Sequence, residues 1–245
     1  MTTVTIIPSR LNSERLPQKP LADIDGLPMI VRVFKQAEKA NIGPVIVACC
    51  GHEIKEIVES HGGKAILTDP GLPSGTDRVY AALQEFDNKG KYGHIINLQG
   101  DLPLVNPEHL RLMVKYMEAS PYQMMTLAAP IADTREITNM NVVKIAMAQV
   151  DEGQKTHAYY FSRAAIPSEA PVFYHHIGIY GFTRQDLRHF VSLKPSYLEK
   201  AERLEQLRAL ENGITIDVVT VDAPPQSVDT QEDLEKVRNL VMKYP

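Results

Sequence analysis

Three cations, Arg10, Arg15 and Lys19, and two hydroxyls, Ser9 and Ser13, fall within residues 7–21, I-P-S-R-L-N-S-E-R-L-P-Q-K-P-L. They follow a short β-branched run at residues 4–7, of the kind that forms a buried parallel strand. The carboxyl end of a first strand is where open α/β sheets bind nucleotides. Guanidinium and ammonium groups clustered there can neutralise a triphosphate. A solvated basic loop is the plainer explanation, and the stiffening prolines beside the strand end count against it. Neither a G-x-x-x-x-G-K-[ST] loop nor a G-x-G-x-x-G fingerprint occurs, which argues against an NAD-dependent oxidoreductase on a similar sheet.

Three more stretches carry groups that could do chemistry. Residues 97–103, N-L-Q-G-D-L-P, end another apolar run, and a carboxylate at Asp101 facing phosphates is suited to Mg²⁺. A plain turn after Gly100 accounts for Asp101 equally well. Residues 73–78, P-S-G-T-D-R, can turn closely around a ligand at a helix start, or simply supply Ser74 or Thr76 as an N-cap. Residues 227–234, S-V-D-T-Q-E-D-L, read as a helix start, with Asp229 or Thr230 as the cap and Glu232 and Asp233 in the first turn. Cys50 with His52 lacks two further ligands for a soft metal, so a packed thiol at a strand end is the better reading.

Alternating elements must position these groups. Strand-like runs at residues 4–7, 45–49, 65–67 and 95–98 alternate with helical spacing at 29–40, 53–60 and 77–86. That rhythm predicts right-handed βαβ units and a twisted, mostly parallel sheet. The second half is less regular. Strand-like segments at 124–129, 142–148 and 176–182 suggest an antiparallel excursion. Leu198, Ala201, Leu204, Leu207 and Leu210 then mark a long helix, followed by a strand at 214–221 and a helix at 232–242. The expectation is a single α/β domain over residues 1–245, with a Rossmann-like sheet and an inserted lobe at about 130–190.

The 245 residues, 44% of them hydrophobic, suffice for a substantial core. A net charge of -4 gives no overall basic field for nucleic acid or an anionic membrane. The two cysteines, Cys49 and Cys50, are adjacent and cannot staple distant segments. With neither a leader pattern nor a membrane-length apolar run, a cytoplasmic protein is expected.

Taken together, these motifs resemble the signatures of sugar nucleotidyltransferases, in particular the 3-deoxy-manno-octulosonate (Kdo) and acylneuraminate cytidylyltransferases. The first loop is similar to P-A-R-x-x-S-x-R-x-P-x-K, keeping Pro8, Arg10, Ser13, Arg15, Pro17 and Lys19. Residues 74–78 resemble S-G-T-[DE]-R, 97–103 resemble N-[VL]-Q-G-D-x-P, and 227–234 resemble G-V-D-T-P-E-D-L. Further along, N-M-N-V-V-K at 139–144, Y-F-S-R-A-A-I at 160–166, H-H-I-G-I-Y-G at 175–181 and L-E-Q-L-R at 204–208 resemble family motifs in order, and the Y-F-S-R and L-E-Q-L-R segments favour the Kdo branch. Ser9 replaces the usual Ala, Gln18 the usual Gly, and Cys50 a usual acid. Gln18 matters if its position needs positive φ.

The resemblance implies transfer of CMP from CTP to Kdo with release of pyrophosphate, for lipopolysaccharide synthesis, by a cytoplasmic Mg²⁺-dependent homodimer joined through the middle lobe. Pro8, Ser9, Arg10, Arg15, Lys19, Ser74, Arg78 and Gln99 are then the expected CTP contacts, with Arg10, Lys19 and Asp101 catalytic. Asp101 and Asp229 are the implied metal ligands. Gln99, Arg163, His176, Tyr180, Glu205 and Gln206 are the implied partners of the sugar acid, Arg163 through bidentate carboxylate recognition. The alternatives are 8-amino-Kdo or another acidic sugar such as a nonulosonate, and a nucleotide-binding homologue impaired by Gln18 and Cys50.

Overall fold

A computed structural model describes residues 2–11 and 15–243. Ser13 lies outside them. The chain forms two compact units, one of residues 1–111 with 225–245 and one of residues 112–224. The expected 130–190 lobe falls within the second.

The first unit opens with β1 (Thr2–Ser9), buried from Thr3 onward, as the apolar run requires. A short hairpin, β2 (Asp23–Ile24) and β3 (Leu27–Pro28), leads into α1 (Met29–Lys39). Then β4 (Val45–Cys49), α2 (His52–Ser60), β5 (Lys64–Leu67), α3 (Gly75–Phe86) and β6 (Tyr92–Asn97) complete the alternation. β1 pairs in parallel with β4 on one side and β6 on the other, and β4 with β5. This is the sheet expected from the rhythm of apolar runs, and it gathers the carboxyl ends of β1 and β6 side by side.

Helix α4 (Pro107–Ala119) carries the chain from the first unit into the second. It is an addition to the expected elements, although Leu110, Met113, Val114 and Met117 have the i, i+3, i+4, i+7 spacing that marks it, and all four are buried.

The second unit contains β7 (Met124–Pro130), β8 (Lys144–Met147), β9 (Lys155–Ser162) and β10 (Tyr174–Thr183), then α5 (Arg184–Ser192), α6 (Tyr197–Glu202), α7 (Leu207–Glu211) and β11 (Ile216–Thr220). β10 runs antiparallel to β7 and β8, β9 antiparallel to β8 and β11, and β11 parallel to β7. The antiparallel excursion is therefore present, with β9 and α5 beyond the expected set.

The long helix expected across residues 198–210 is a correction: it is two short helices. Arg203 ends α6 in the left-handed region at φ 56, ψ 47. The turn lets the buried Arg208 guanidinium fold back onto the Glu199 carboxylate of α6, at 2.8 Å and 2.5 Å. A continuous helix would carry those two residues apart.

The chain then returns to the first unit as α8 (Gln231–Lys243). Leu234, Val237 and Val241 of α8 pack with Leu16, Ile24, Met29 and Val228 in one buried cluster. That packing brings the C-terminal segment against the loop after β1.

Candidate active site

The carboxyl ends of β1 and β6, the N-terminus of α3 and the segment before α8 enclose a cavity of about 880 Å³ in the first unit. All eight expected CTP contacts, Pro8, Ser9, Arg10, Arg15, Lys19, Ser74, Arg78 and Gln99, line it, together with Asp101 and Asp229. Residues separated by more than two hundred positions in sequence are thus brought to one place by the fold.

The two aspartates converge on one cation. Lys19 Nζ lies 2.9 Å from Asp101 Oδ2 and 3.0 Å from Asp229 Oδ1, and Arg15 approaches the same Asp229 oxygen at 3.2 Å. Burial works to lower the Lys19 pKa, but the Asp101 and Asp229 carboxylates outweigh it and hold the ammonium above its ordinary value. The juxtaposition is built into the backbone, since Val228 N–H donates to the Asp101 carbonyl at 3.0 Å. Gly100 lets this segment pass close to the end of β1: a Cβ there would stand 2.9 Å from the Pro8 carbonyl oxygen. Asp233 takes the structural role expected of it, accepting from the Thr230 N–H and hydroxyl, which leaves Asp229 facing the cavity.

Lys19 owes its place to an unusual turn. Gln18, which precedes it, adopts φ 53, ψ 29, the left-handed region in which glycine is at ease. Its carbonyl accepts from Leu21 N–H at 2.8 Å, closing the one-turn 3₁₀ segment Lys19–Leu21.

Around this centre the remaining side chains divide by how far their bonding capacity is spent. Ser74 is the N-cap of α3: its hydroxyl accepts from Asp77 N–H at 3.1 Å and donates to the Asp77 carboxylate at 2.7 Å. The cap and cavity roles therefore coincide. Arg78 is only 4% exposed and braces the loop after β5, one guanidinium nitrogen donating to Thr68 Oγ1 and the Asp69 carbonyl. Ser9 Oγ is buried with no hydrogen-bond partner among the described residues, so it can serve a bound polar group. Arg10 and Arg15 are exposed at the rim. Gln99 donates to Asn97 Oδ1 at 3.4 Å, and buried Asn97 donates to Thr76 Oγ1 at 3.2 Å. That chain ties the N-L-Q-G-D segment to the start of α3. Asn97 and Thr76 were not anticipated as linkers, although a polar residue closing a buried strand is the available signal.

Asp101 and Asp229 offer hard carboxylate oxygens directed at a common positive charge. This donor set fits Mg²⁺, which accepts one or two protein carboxylates and completes its shell with water and phosphate oxygens. Among the described residues there is no cluster of three or more His, Cys, Asp or Glu side chains suited to a metal. Cys49 is buried, its thiol pushed up to about 11 chiefly by burial, while Cys50 is partly exposed at the end of β4.

The other expected residues belong to the second unit. β10 slips register against β7 between Ile177 and Tyr180, and the irregularity places His176 opposite Ala128 and Tyr180 opposite Thr126. Their rings are 5.6 Å apart, and Phe161 meets the His176 ring edge-on at 4.8 Å. Thr126 Oγ1 lies 3.0 Å from His176 Nε2 and bonds the Ile177 and Ile179 carbonyls, fixing the irregularity. Burial, then the neighbouring His175, lower the His176 pKa to about 3, so the imidazole is neutral. Burial and Glu205 hold the Tyr180 hydroxyl well above its ordinary value. Gln206 is 3% exposed, and its Nε2 has no hydrogen-bond partner among the described residues. The Arg163 guanidinium donates from Nε to the Glu202 carbonyl at 3.1 Å and from Nη1 to the Met140 carbonyl at 2.9 Å.

Comparison with known proteins follows the same lines. The cytidylyltransferase family model matches residues 4–216. The 3-deoxy-manno-octulosonate cytidylyltransferase of Parvibaculum lavamentivorans is 50% identical over 236 residues, 96% of this chain and 91% of that one. That of Paramagnetospirillum magneticum is 46% identical over 242 residues, 98% of each chain. A solved CMP:2-keto-3-deoxy-manno-octonic acid synthetase complexed with CTP superposes over 100% of both chains with a TM-score of 0.89 at 35% identity. A cytidylyltransferase from Leptospira borgpetersenii shares the fold at a TM-score of 0.66 and 15% identity, covering 100% of this chain and 88% of that one. On its motifs, its α/β nucleotidyltransferase fold and these relatives, the chain belongs to the 3-deoxy-manno-octulosonate cytidylyltransferase family.

Proposed function

We propose that the protein transfers CMP from CTP to Kdo, giving CMP-Kdo and pyrophosphate. The observation that carries this reading is the convergence of Asp101, Asp229 and Lys19, with Arg15 beside them, in a cavity at the carboxyl ends of parallel strands. The printed names of the full-length relatives supply the substrates.

In this reading the anomeric hydroxyl of the sugar attacks the α-phosphorus of CTP, forming a phosphodiester as the bond to pyrophosphate breaks. Arg10, Arg15 and Lys19 neutralise the triphosphate and the charge that develops on the leaving group. Ser9 Oγ and the N-terminus of α3 supply further donors to the nucleotide. Mg²⁺ held by Asp101 and Asp229 would polarise phosphate oxygen and lower the pKa of the attacking hydroxyl. Neutral His176, Tyr180, Glu205 and Gln206 offer hydroxyl-directed contacts, and Arg163 has its remaining Nη hydrogens for the sugar carboxylate.

Mg²⁺ dependence, a homodimer and a cytoplasmic location belong to the same proposal. The donor set supports the first. The family resemblance supports the second. Among the described residues no helix is long and apolar enough to cross a membrane.

The test is pyrophosphate release with CTP, Mg²⁺ and Kdo, set against UTP, 8-amino-Kdo and N-acetylneuraminate, with Asp101→Ala as control. Release confined to CTP and Kdo and abolished in the variant is expected. CTP binding without release from any sugar would reject the reading.

A further inference from the structure

Arg163 sits where β9 ends, and its backbone is gripped at both polar atoms by charged side chains. Its N–H donates to Glu202 Oε2 at 3.1 Å. Its carbonyl accepts from Lys144 Nζ at 2.5 Å. Lys144 is fully buried, and it spends its other donors on the Asn139 and Val142 carbonyls at 2.9 Å and 2.7 Å. An ammonium with three carbonyl acceptors is a fastening rather than a nucleophile.

Glu202 collects more than one partner. Oε1 accepts from Ser162 Oγ at 2.8 Å, and burial first, then this carboxylate, hold the Tyr160 hydroxyl above its ordinary pKa. The Glu202 carbonyl receives Arg163 Nε, so the last residue of α6 holds the Arg163 side chain as well as its backbone. The next residue, Arg203, makes the left-handed turn that sends the chain on to Glu205 and Gln206.

One carboxylate thus joins the Y-F-S-R segment to the segment bearing L-E-Q-L-R. The consequence for Arg163 is orientation. Its single Nε hydrogen is spent on the Glu202 carbonyl and one Nη1 hydrogen on the Met140 carbonyl, so side-on pairing through Nε and Nη2 is closed and a carboxylate can be met only through the remaining Nη hydrogens.

We propose that Glu202, with Lys144, is a positioning residue for the sugar acid: it acts through Arg163, whose remaining Nη donors it presents, and not by touching substrate. This rests on the reading that Kdo is the acceptor. Replacing the carboxylate by an amide turns the charge-assisted bond from the Arg163 N–H into a neutral one of about half the strength.

The experiment is steady-state kinetics of Glu202→Gln, Arg163→Ala and the double variant. Amide hydrogen exchange over residues 160–164 is followed in parallel on the full chain. Glu202→Gln should raise the KM for sugar about tenfold, leave the KM for CTP and kcat near wild type, and loosen amide protection at Arg163. In the Arg163→Ala background it should have no further effect on the sugar KM. Equal changes in both KM values, or full additivity in the double variant, would overturn the proposal. If wild type turns over no sugar, the functional reading fails by itself; unchanged protection at Arg163 in Glu202→Gln would then overturn the clasp too.

Discussion

Replacing Gln18 by glycine should stabilise the protein, an unusual result for removing a side chain. The residue is exposed, and among the described residues its side chain makes no capping bond; only its backbone conformation, φ 53 and ψ 29, is constrained. A non-glycine residue in that region costs about 1–2 kcal/mol. Glycine relieves that cost but gives back about 0.5–1 kcal/mol through the greater freedom of the unfolded chain. The net gain is about 0.5–1 kcal/mol. For 245 residues the unfolding entropy near 60 °C is about 0.5 kcal/mol/K, so the melting temperature should rise by about 1–2 °C. Gln18→Val, with a branched Cβ in the same turn, should instead lower it by about 2–4 °C. Thermal melts followed by circular dichroism read both. If glycine melts below wild type, or valine matches it, the turn that presents Lys19 is not left-handed in solution and the strain argument fails.

Three other perturbations separate the parts of the account. On the proposed metal site, Lys19→Met removes the cation competing for Asp101 and Asp229, so nucleotide-free protein should bind Mn²⁺ about tenfold more tightly; electron paramagnetic resonance of free Mn²⁺ reads this, and weaker binding would contradict it. His175 and His176 are held to about 4 and about 3 against an ordinary 6.5, by burial first and by Lys144 and His175 respectively. Below pH 6.5 the unfolded chain therefore binds protons that the folded chain refuses, so stability should fall as pH drops from about 6.5 to about 4, by on the order of 2 kcal/mol per histidine at pH 5. Urea midpoints that stay flat between pH 7 and pH 5 would oppose this. Arg208→Met strands the Glu199 carboxylate, with the Arg208 and Glu199 side chains only 6% and 14% exposed, and should cost about 3–5 kcal/mol in urea unfolding; a loss below 1 kcal/mol would show that α6 and α7 do not depend on the pair.

The first unit was legible because its central strands β1 and β4 are compact apolar runs, and the motifs at residues 7–21 and 97–103 begin where β1 and β6 stop. Residues 45–49 and 4–7 carry that signal without ambiguity, and the spacing of Met29, Ile30, Val33, Phe34 and Ala37 fixes α1. The convergence of Asp101 with Asp229 was open to resemblance alone, since the Val228–Asp101 backbone bond and the α8 packing that create it are long-range. The second unit was harder. The leucine stripe at 198–210 gives a helical period, but the break at Arg203 accompanies the Arg208–Glu199 pair, which no local pattern reveals. Likewise β9 alternates weakly, with exposed Tyr159 beside buried Phe161, and Glu202 carries no motif of its own even though two donors meet on its carboxylate.

The central claim is that CMP leaves CTP for the anomeric oxygen of Kdo. Phosphorus-31 NMR of the protein with CTP, Kdo and Mg²⁺ tests it most directly. The account predicts that the three CTP resonances give way to equal amounts of one phosphodiester and pyrophosphate, only when Kdo is present. Unchanged CTP, or conversion to CDP and inorganic phosphate, would contradict it.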